Sequence, residues 1–300
     1  MAGTQRTKRQ HFVPQVYLRR FTSSRQEVDP QKMRLWTLDK LSLQVRDLRI
    51  REVASRNGFY DLSASDQEQL VEKLFAEEIE PAFATALNAL LACAAGQRPI
   101  AAPLKADVAY LLTMQYLRTQ GFRSFYQQQA DVFLQGLRPH LQRLHPDLPL
   151  DQVRLKANIG AARHAAFFLD PATLREVPSA LYQHVWCIAR NITPLPFVTS
   201  DAPMVWNNLT DLPAFYGRGG FGAYGAQVLF PLTPRHLLVM TDRRYAERQG
   251  QWLQDEGRVI PGLLPLVRYA NTLQMQQSDR QVFSSEDIFI RRAPGGPAPS

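Results

Sequence analysis

A histidine stands in front of a short amphipathic run near the start of the chain, His11-Phe12-Val13-Pro14-Gln15-Val16-Tyr17-Leu18-Arg19-Arg20-Phe21. Pro14 suits the first position of a helix, where its missing N–H is not needed. Val16 or Tyr17, Arg20 and Phe21 then recur at helical spacing. The pattern predicts His11 at a helix entrance, beside backbone N–H groups that favour an anion. Histidine there suits acid–base chemistry, and Arg19 and Arg20 suit the holding of a phosphate or carboxylate.

Two further blocks carry groups of the same kind. Gln115-Tyr116-Leu117-Arg118-Thr119 lies within an apolar helical stretch, with Gln115 and Arg118 on one face. A buried arginine needs a carboxylate or phosphate, and Glu72 and Glu80 on the preceding helix are the candidate partners. Thr199-Ser200-Asp201-Ala202-Pro203 reads as a strand end, where Asp201 could ligate a metal, orient His11 or close a local Asx turn. Asn271 stands mid-helix among apolar neighbours, a position that calls for a hydrogen bond to a loop or a ligand.

Several chemistries find no support. The sequence has no HExxH, Walker loop, GxSxG or CxxC pair. Gly217 to Gly222 spell GxGxxG, but a strand-like run follows where a dinucleotide site needs a helix, so a connecting loop is expected. The other histidines, His140, His145, His164, His184 and His236, show no ligand spacing. Cys93 and Cys187 are far apart in apolar contexts, which argues against a disulfide framework or a zinc site.

The elements that must position these groups follow from periodicity. Residues 33–38 and 43–48 alternate and predict a hairpin across Asp39-Lys40-Leu41-Ser42. Ser65 to Glu68 match a capping box, and an apolar stripe continues through Ile79, Phe83, Leu87 and Leu90 to Gly96, with Pro81 expected to kink or divide that helix. A second helix is expected over 104–137, interrupted near Gly121, and a third over 150–168. Strands follow at 184–189, 197–200, 227–230 and 236–240, then a helix over 263–276 and a return strand at 282–283. The expected fold is α+β: a helical middle, with the N-terminal hairpin and the C-terminal strands meeting in one mixed sheet. Residues 1–10 read as a basic flexible terminus, 11–290 as a single domain and 291–300 as a disordered tail.

Hydrophobic content of 45% with 21% charged residues is that of a globular chain. No apolar run is long enough to span a bilayer and no apolar stretch follows the basic N-terminus, so a cytoplasmic protein without a membrane partner is expected. The net charge of +8 is confined to residues 1–51, which hold twelve Lys or Arg and four Asp or Glu; the rest of the chain has 23 of each sign. Such a cluster can bind nucleic acid or another polyanion, or can simply be solvated.

His11-Phe12-Val13-Pro14-Gln15-x-Tyr17-Leu18-x-x-Phe21 is followed in order by Ile79-Glu80, Gln115-x-x-Arg118-Thr119, Pro196 to Pro203 and Phe230-Pro231-Leu232-Thr233-Pro234. In order and spacing these blocks resemble domain-of-unknown-function family 4238, over residues 11 to about 285. That pattern favours Tyr at position 12 and Asn at 202, where this chain has Phe12 and Ala202. The resemblance implies one continuous domain and no particular reaction.

Taken together, the residues suggest a hydrolase acting on a phosphorylated or nucleic-acid substrate. His11 and Asp201 would be its catalytic pair, Arg118, Arg19 and Arg20 would hold the anion, and Tyr17, Glu80, Gln115, Thr119 and Asn271 would support them. A divalent metal would fit that chemistry, with Asp201 and Glu80 as ligands. Two alternatives stand beside it: a non-catalytic module binding nucleic acid or an acidic partner, and a structural or regulatory protein in which these groups form closed buried networks. Oligomeric state is unspecified by the pattern.

Overall fold

The computed structural model describes residues 9–24, 26–59, 70–144, 167–168, 170–210, 220–250, 253 and 256–289. The chain opens with β1 (Arg9–His11), α1 (Gln15–Leu18) and a 3-10 turn (Arg19–Phe21). The hairpin β2 (Arg34–Asp39) and β3 (Gln44–Arg49) follows, then β4 (Ser55–Asn57). Asp39 closes the hairpin by accepting from the N–H groups of Leu41 and Ser42.

The helical middle runs through α2 (Leu70–Leu74), α3 (Glu80–Ala95), α4 (Ala102–Leu117), α5 (Gln120–Leu144) and α6 (Pro171–Gln183). A π-helical turn, Phe75–Ile79, joins α2 to α3 with Pro81 in the first turn of α3. Proline inside a regular helix clashes with the carbonyl four residues earlier, and a widened turn just before it relieves that clash. Pro81 therefore divides the helix, as expected. The break expected near Gly121 falls instead at Arg118 and Thr119, where the Thr119 hydroxyl accepts from Phe122 N–H and donates to Tyr116 C=O. Gly121 lies inside α5. The capping box at 65–68 and nearly all of the helix expected over 150–168 lie outside the described residues, as do 217–219 of the glycine-rich loop.

The C-terminal part supplies β5 (Val185–Asn191), β6 (Thr199–Ser200), β7 (Val205–Asn208), β8 (Ala226–Thr233), β9 (His236–Thr241), α7 (Arg243–Gln249), β10 (Val259–Gly262), α8 (Leu264–Gln277) and β11 (Gln281–Ser284). The fold is α+β. The hairpin meets β11 and β6 in an antiparallel sheet of order β3-β2-β11-β6. The remaining C-terminal strands form a second, mixed sheet of order β10-β5-β9-β8-β7, in which only β10 and β5 run parallel. The meeting of hairpin and C-terminal strands is thus confined to one of two sheets. A third pairing joins β1 to β4.

The second sheet is buried on both faces, which is why β5, β8 and β9 read as nearly continuous apolar runs. Trp186, Ile188, Phe230 and Leu238 face a core shared with Tyr17, Phe21, Phe83 and Leu112. Their alternate neighbours Cys187, Leu229, Leu237 and Val239 pack against Val267, Ala270 and Leu273 of α8.

One edge of α8 carries amides at a spacing of three residues. Asn271 accepts from Val198 N–H and donates to Pro196 C=O. Gln274 accepts from the Ser200 hydroxyl and donates to Pro203 C=O. Gln277 accepts from Trp206 N–H and donates to Trp206 C=O. The ladder adds to the strand pairing of 199–200 and 205–206 and holds the segments between and beside them, while β6 is two residues long where four were expected. Gln274 is fully buried, and its replacement by Ala strands two partners without solvent. Denaturant titration should show Gln274→Ala destabilised by about 1–3 kcal/mol, the cost of a buried polar group left unpaired. A change of only a few tenths would mean that the ladder is ornamental.

Candidate functional site

α1 starts one residue later than expected, with Pro14 as its N-cap, and is only four residues long. His11 accordingly ends strand β1 and is not at a helix entrance. It stands opposite Ser55 in the ladder, and Phe12 N–H next to it donates to Ala54 C=O. The ring is largely buried, with Nδ1 3.5 Å from the Gln15 amide nitrogen. Burial, reinforced by the positive charge of Arg118 and Arg9, pulls the His11 pKa down to about 4. At pH 7 the ring is neutral.

Arg118 lies at the end of α4 and is 1% exposed. Its guanidinium donates to His11 C=O and to Glu80 Oε1 at 3.0 Å, and it stacks 4.2 Å from the centre of the Phe75 ring. Gln115, one turn earlier, donates to Phe12 C=O at 3.1 Å. The expected face of α4 therefore exists, and it grips the backbone of the His11 block. Glu80 and Phe75 both come from the π-turn region, so the irregularity at Pro81 delivers both partners of Arg118.

Tyr17 is fully buried; its hydroxyl donates to Pro231 C=O at 2.8 Å and lies 2.7 Å from the Thr199 hydroxyl. Since that proton goes to the carbonyl, Thr199 is the donor in the second bond. Burial raises the Tyr17 pKa well above the ordinary tyrosine value. Tyr17 thus ties the His11 block to both the Thr199 block and the Phe230–Pro234 block.

Asp201 is 2% exposed. Its carboxylate accepts from three consecutive backbone N–H groups, those of Asp279, Arg280 and Gln281 at 2.8–2.9 Å. Burial pushes its pKa up to about 6 against the pull of these donors, leaving it ionised at pH 7. Both oxygens are engaged in holding the entry to β11, and His11 is not among their partners. Asn271, as described, clamps a loop. Among the described residues no group of three or more His, Cys, Asp or Glu is arranged to hold a metal ion.

What the structure brings together is thus His11, Gln115, Arg118 and Glu80 in one network and Tyr17 with Thr199 in another, while Thr119 caps a turn. Arg19 and Arg20 lie apart from both networks, in the 3-10 turn. Arg20 Nη2 donates to Asn88 Oδ1 at 2.8 Å and to Ala84 C=O at 3.3 Å. Its Nε is buried with no acceptor among the described residues, and so is Arg19 Nε. A recess of about 380 Å³ beside Arg20 is lined by Thr22, Thr233, Pro234, Arg235 and Ser285. The Ser285 hydroxyl is likewise buried without a partner among the described residues. Sequence reasoning missed Arg235 and Ser285; Thr233-Pro234-Arg235, a tight turn between two apolar strands, was the available signal.

A second recess, of about 960 Å³, opens between α4, α6 and α7 around Lys105, His184 and Arg243. Of its lining residues only Gly222, the last glycine of the GxGxxG run, stood out by motif.

Two outcomes follow from these networks. Arg118→Ala removes the partner of Glu80 and the donor to His11 C=O. Because Glu80 keeps 28% of its side chain exposed, the loss should lie at about 3 kcal/mol, the low end for a broken buried pair; an unchanged thermal melt would exclude the clamp. The pH dependence follows from His11 and His184, both pulled down to about 4 by burial. The unfolded chain binds more protons than the native one below about 6.5, so stability present above that pH is lost as pH falls towards 4, by up to about 3 kcal/mol per histidine. Asp201, raised to about 6, works with the opposite sign, losing its contribution as pH rises through 6, and so offsets part of that loss. Melts between pH 7 and 4.5 should show the acid loss shrink in His11→Gln; an identical pH profile would show that His11 titrates alike in both states.

No curated protein and no solved structure matches the chain. A family model described as protein of unknown function (DUF4238) matches residues 9–287, nearly the whole chain and every block from His11 to Pro234. The chain belongs to that family.

Proposed function

We propose that this protein is a non-catalytic module that binds a phosphorylated or polyanionic partner, nucleic acid included, through the recess between Arg20 and Arg235. The observation that carries this reading is the environment of Arg20. It is a half-buried guanidinium whose partners are an amide and a carbonyl, and no carboxylate pairs with it among the described residues. Burial lowers its pKa from the ordinary arginine value, a sign that its charge is under-solvated. Arg235, whose guanidinium donates to Thr193 C=O, brings a second positive charge to the same recess, again with no carboxylate partner among the described residues. A phosphoryl group has the oxygens to accept from Arg20 Nε, Arg235 and the Ser285 hydroxyl together. The charge excess of residues 1–51, of which Arg20 is part, would add to the attraction of a polyanion.

The hydrolytic reading centred on His11 and Asp201 needs the carboxylate free to orient a base or hold a metal. Three backbone donors occupy it, so the geometry favours binding over that chemistry.

The test is the salt dependence of binding to a short duplex DNA and to heparin. Wild-type protein should bind both at low salt, with affinity falling steeply as salt rises. Arg235→Ala, at an exposed side chain, and Arg20→Gln should each weaken binding and reduce the logarithmic slope on DNA by about 0.9 for every phosphate that is no longer neutralised. Absence of binding at low salt, or slopes unchanged in both variants, would overturn the reading.

A further inference from the structure

The larger recess differs in kind from the one beside Arg20. Its floor is His184, which follows α6 and is 2% exposed. The ring bonds the Ala180 carbonyl, and Nε2 is buried without a partner among the described residues. A carbonyl only accepts, so the bonded nitrogen, Nδ1, carries the proton. Burial pulls the ring's pKa down to about 4, so at pH 7 it is neutral and Nε2 is a bare, buried acceptor on a residue that lines the cavity. An unmatched buried acceptor calls for a donor.

The walls carry charge that is already balanced. Four basic and four acidic side chains line the recess. Arg243 pairs with Glu256, Arg244 with Asp242 at 3.0 Å and Lys105 with Glu256 at 3.4 Å. Lys105 also donates to His184 C=O at 2.8 Å and sits over the Tyr182 and Trp186 rings. A phosphate entering here would meet carboxylates as well as cations. A hydroxyl group, which both donates and accepts, can bridge such pairs without disturbing their charge. Tyr182 keeps 39% of its surface exposed at the rim, an aromatic wall for the apolar face of a ring. The volume of about 960 Å³ is at the upper end for a small-molecule site.

We infer that the recess floored by His184 is a second binding site, for a neutral polyhydroxylated ligand such as a saccharide, one hydroxyl of which donates to His184 Nε2 while others bridge the Arg243–Glu256 and Arg244–Asp242 pairs.

Saturation-transfer NMR on the full chain with D-glucose, D-galactose, D-mannose and D-ribose as probes tests this, with uridine as a separate arm for a diol carried on a nucleoside. Saturation should pass to the ring protons of at least one probe. It should be lost in Ser179→Trp, which fills the recess from its exposed rim without touching the core, and reduced at least several-fold in His184→Phe, which keeps the ring volume but removes the acceptor. Transfer that survives Ser179→Trp would place binding elsewhere and overturn the inference. No transfer from any probe would overturn it as well, leaving Nε2 to a structural water. Inorganic phosphate that binds in a manner abolished by Ser179→Trp, with no sugar bound, would overturn the neutral class of ligand.

Discussion

The arrangement of the N-terminal third depends on one buried charge. Arg118 has almost no contact with water, and a guanidinium in that position is tolerated only when its donors are met and its charge is balanced. Glu80 balances the charge, His11 C=O takes a donor, and the Phe75 ring covers a face of the guanidinium. These partners, His11, Glu80 and Phe75, stand 107, 38 and 43 residues away along the chain. The cation cannot be satisfied unless β1, the π-turn and α4 are all in place. The widened turn before Pro81 is part of the same solution, since it puts Phe75 and Glu80 within reach together.

The same device recurs around the molecule with neutral or anionic groups. Gln115 grips Phe12, Tyr17 grips Pro231, the α8 amides grip 196–206, and Asp201 grips 279–281. In each case a side chain from one element bonds the backbone of another, partly within strands, as at Pro231 and Trp206, and partly in the irregular path between them. Buried backbone must be paired, and strand pairing covers only part of the stretches 12–14 and 196–206. The blocks read from the sequence, from His11 to Pro234, supply these clamps. Their order in the sequence records which distant segments each one joins.

Local patterns were legible. The hairpin, the apolar stripe through Ile79, Phe83 and Leu87, and strands β5, β8 and β9 stand in the sequence as alternation or helical spacing, because each buries a face of its own. That Arg118 would pair with a carboxylate of the preceding helix was legible too, with Glu72 and Glu80 as the two candidates, because a buried guanidinium admits few partners. What the sequence did not disclose are features set by tertiary context. β7 and β10 lie at the edges of their sheet and are too short to carry a pattern. The helix break moved from Gly121 to Thr119 because a hydroxyl capped the turn there, and glycine was tolerated inside α5. Asp201 looked like a ligand because strand ends often carry reactive groups; that 279–281 would present three N–H groups to it depends on a return strand 80 residues further on.

The two recesses separate by charge balance more than by size. Beside Arg20 the cations donate to an amide and to carbonyls, so an anion bound there as proposed would have no carboxylate to displace. Around His184 every arginine and lysine named already has a carboxylate, and an anion would have to compete with it. In a site of reduced dielectric that difference is amplified, because both the attraction to an unpaired cation and the repulsion from a carboxylate grow as water is excluded. For a chain whose net charge is +8, the density of basic residues is therefore a poor guide to where an anion would be held. The better guide is a half-buried guanidinium with no carboxylate beside it among the described residues, and Arg20 is in that position.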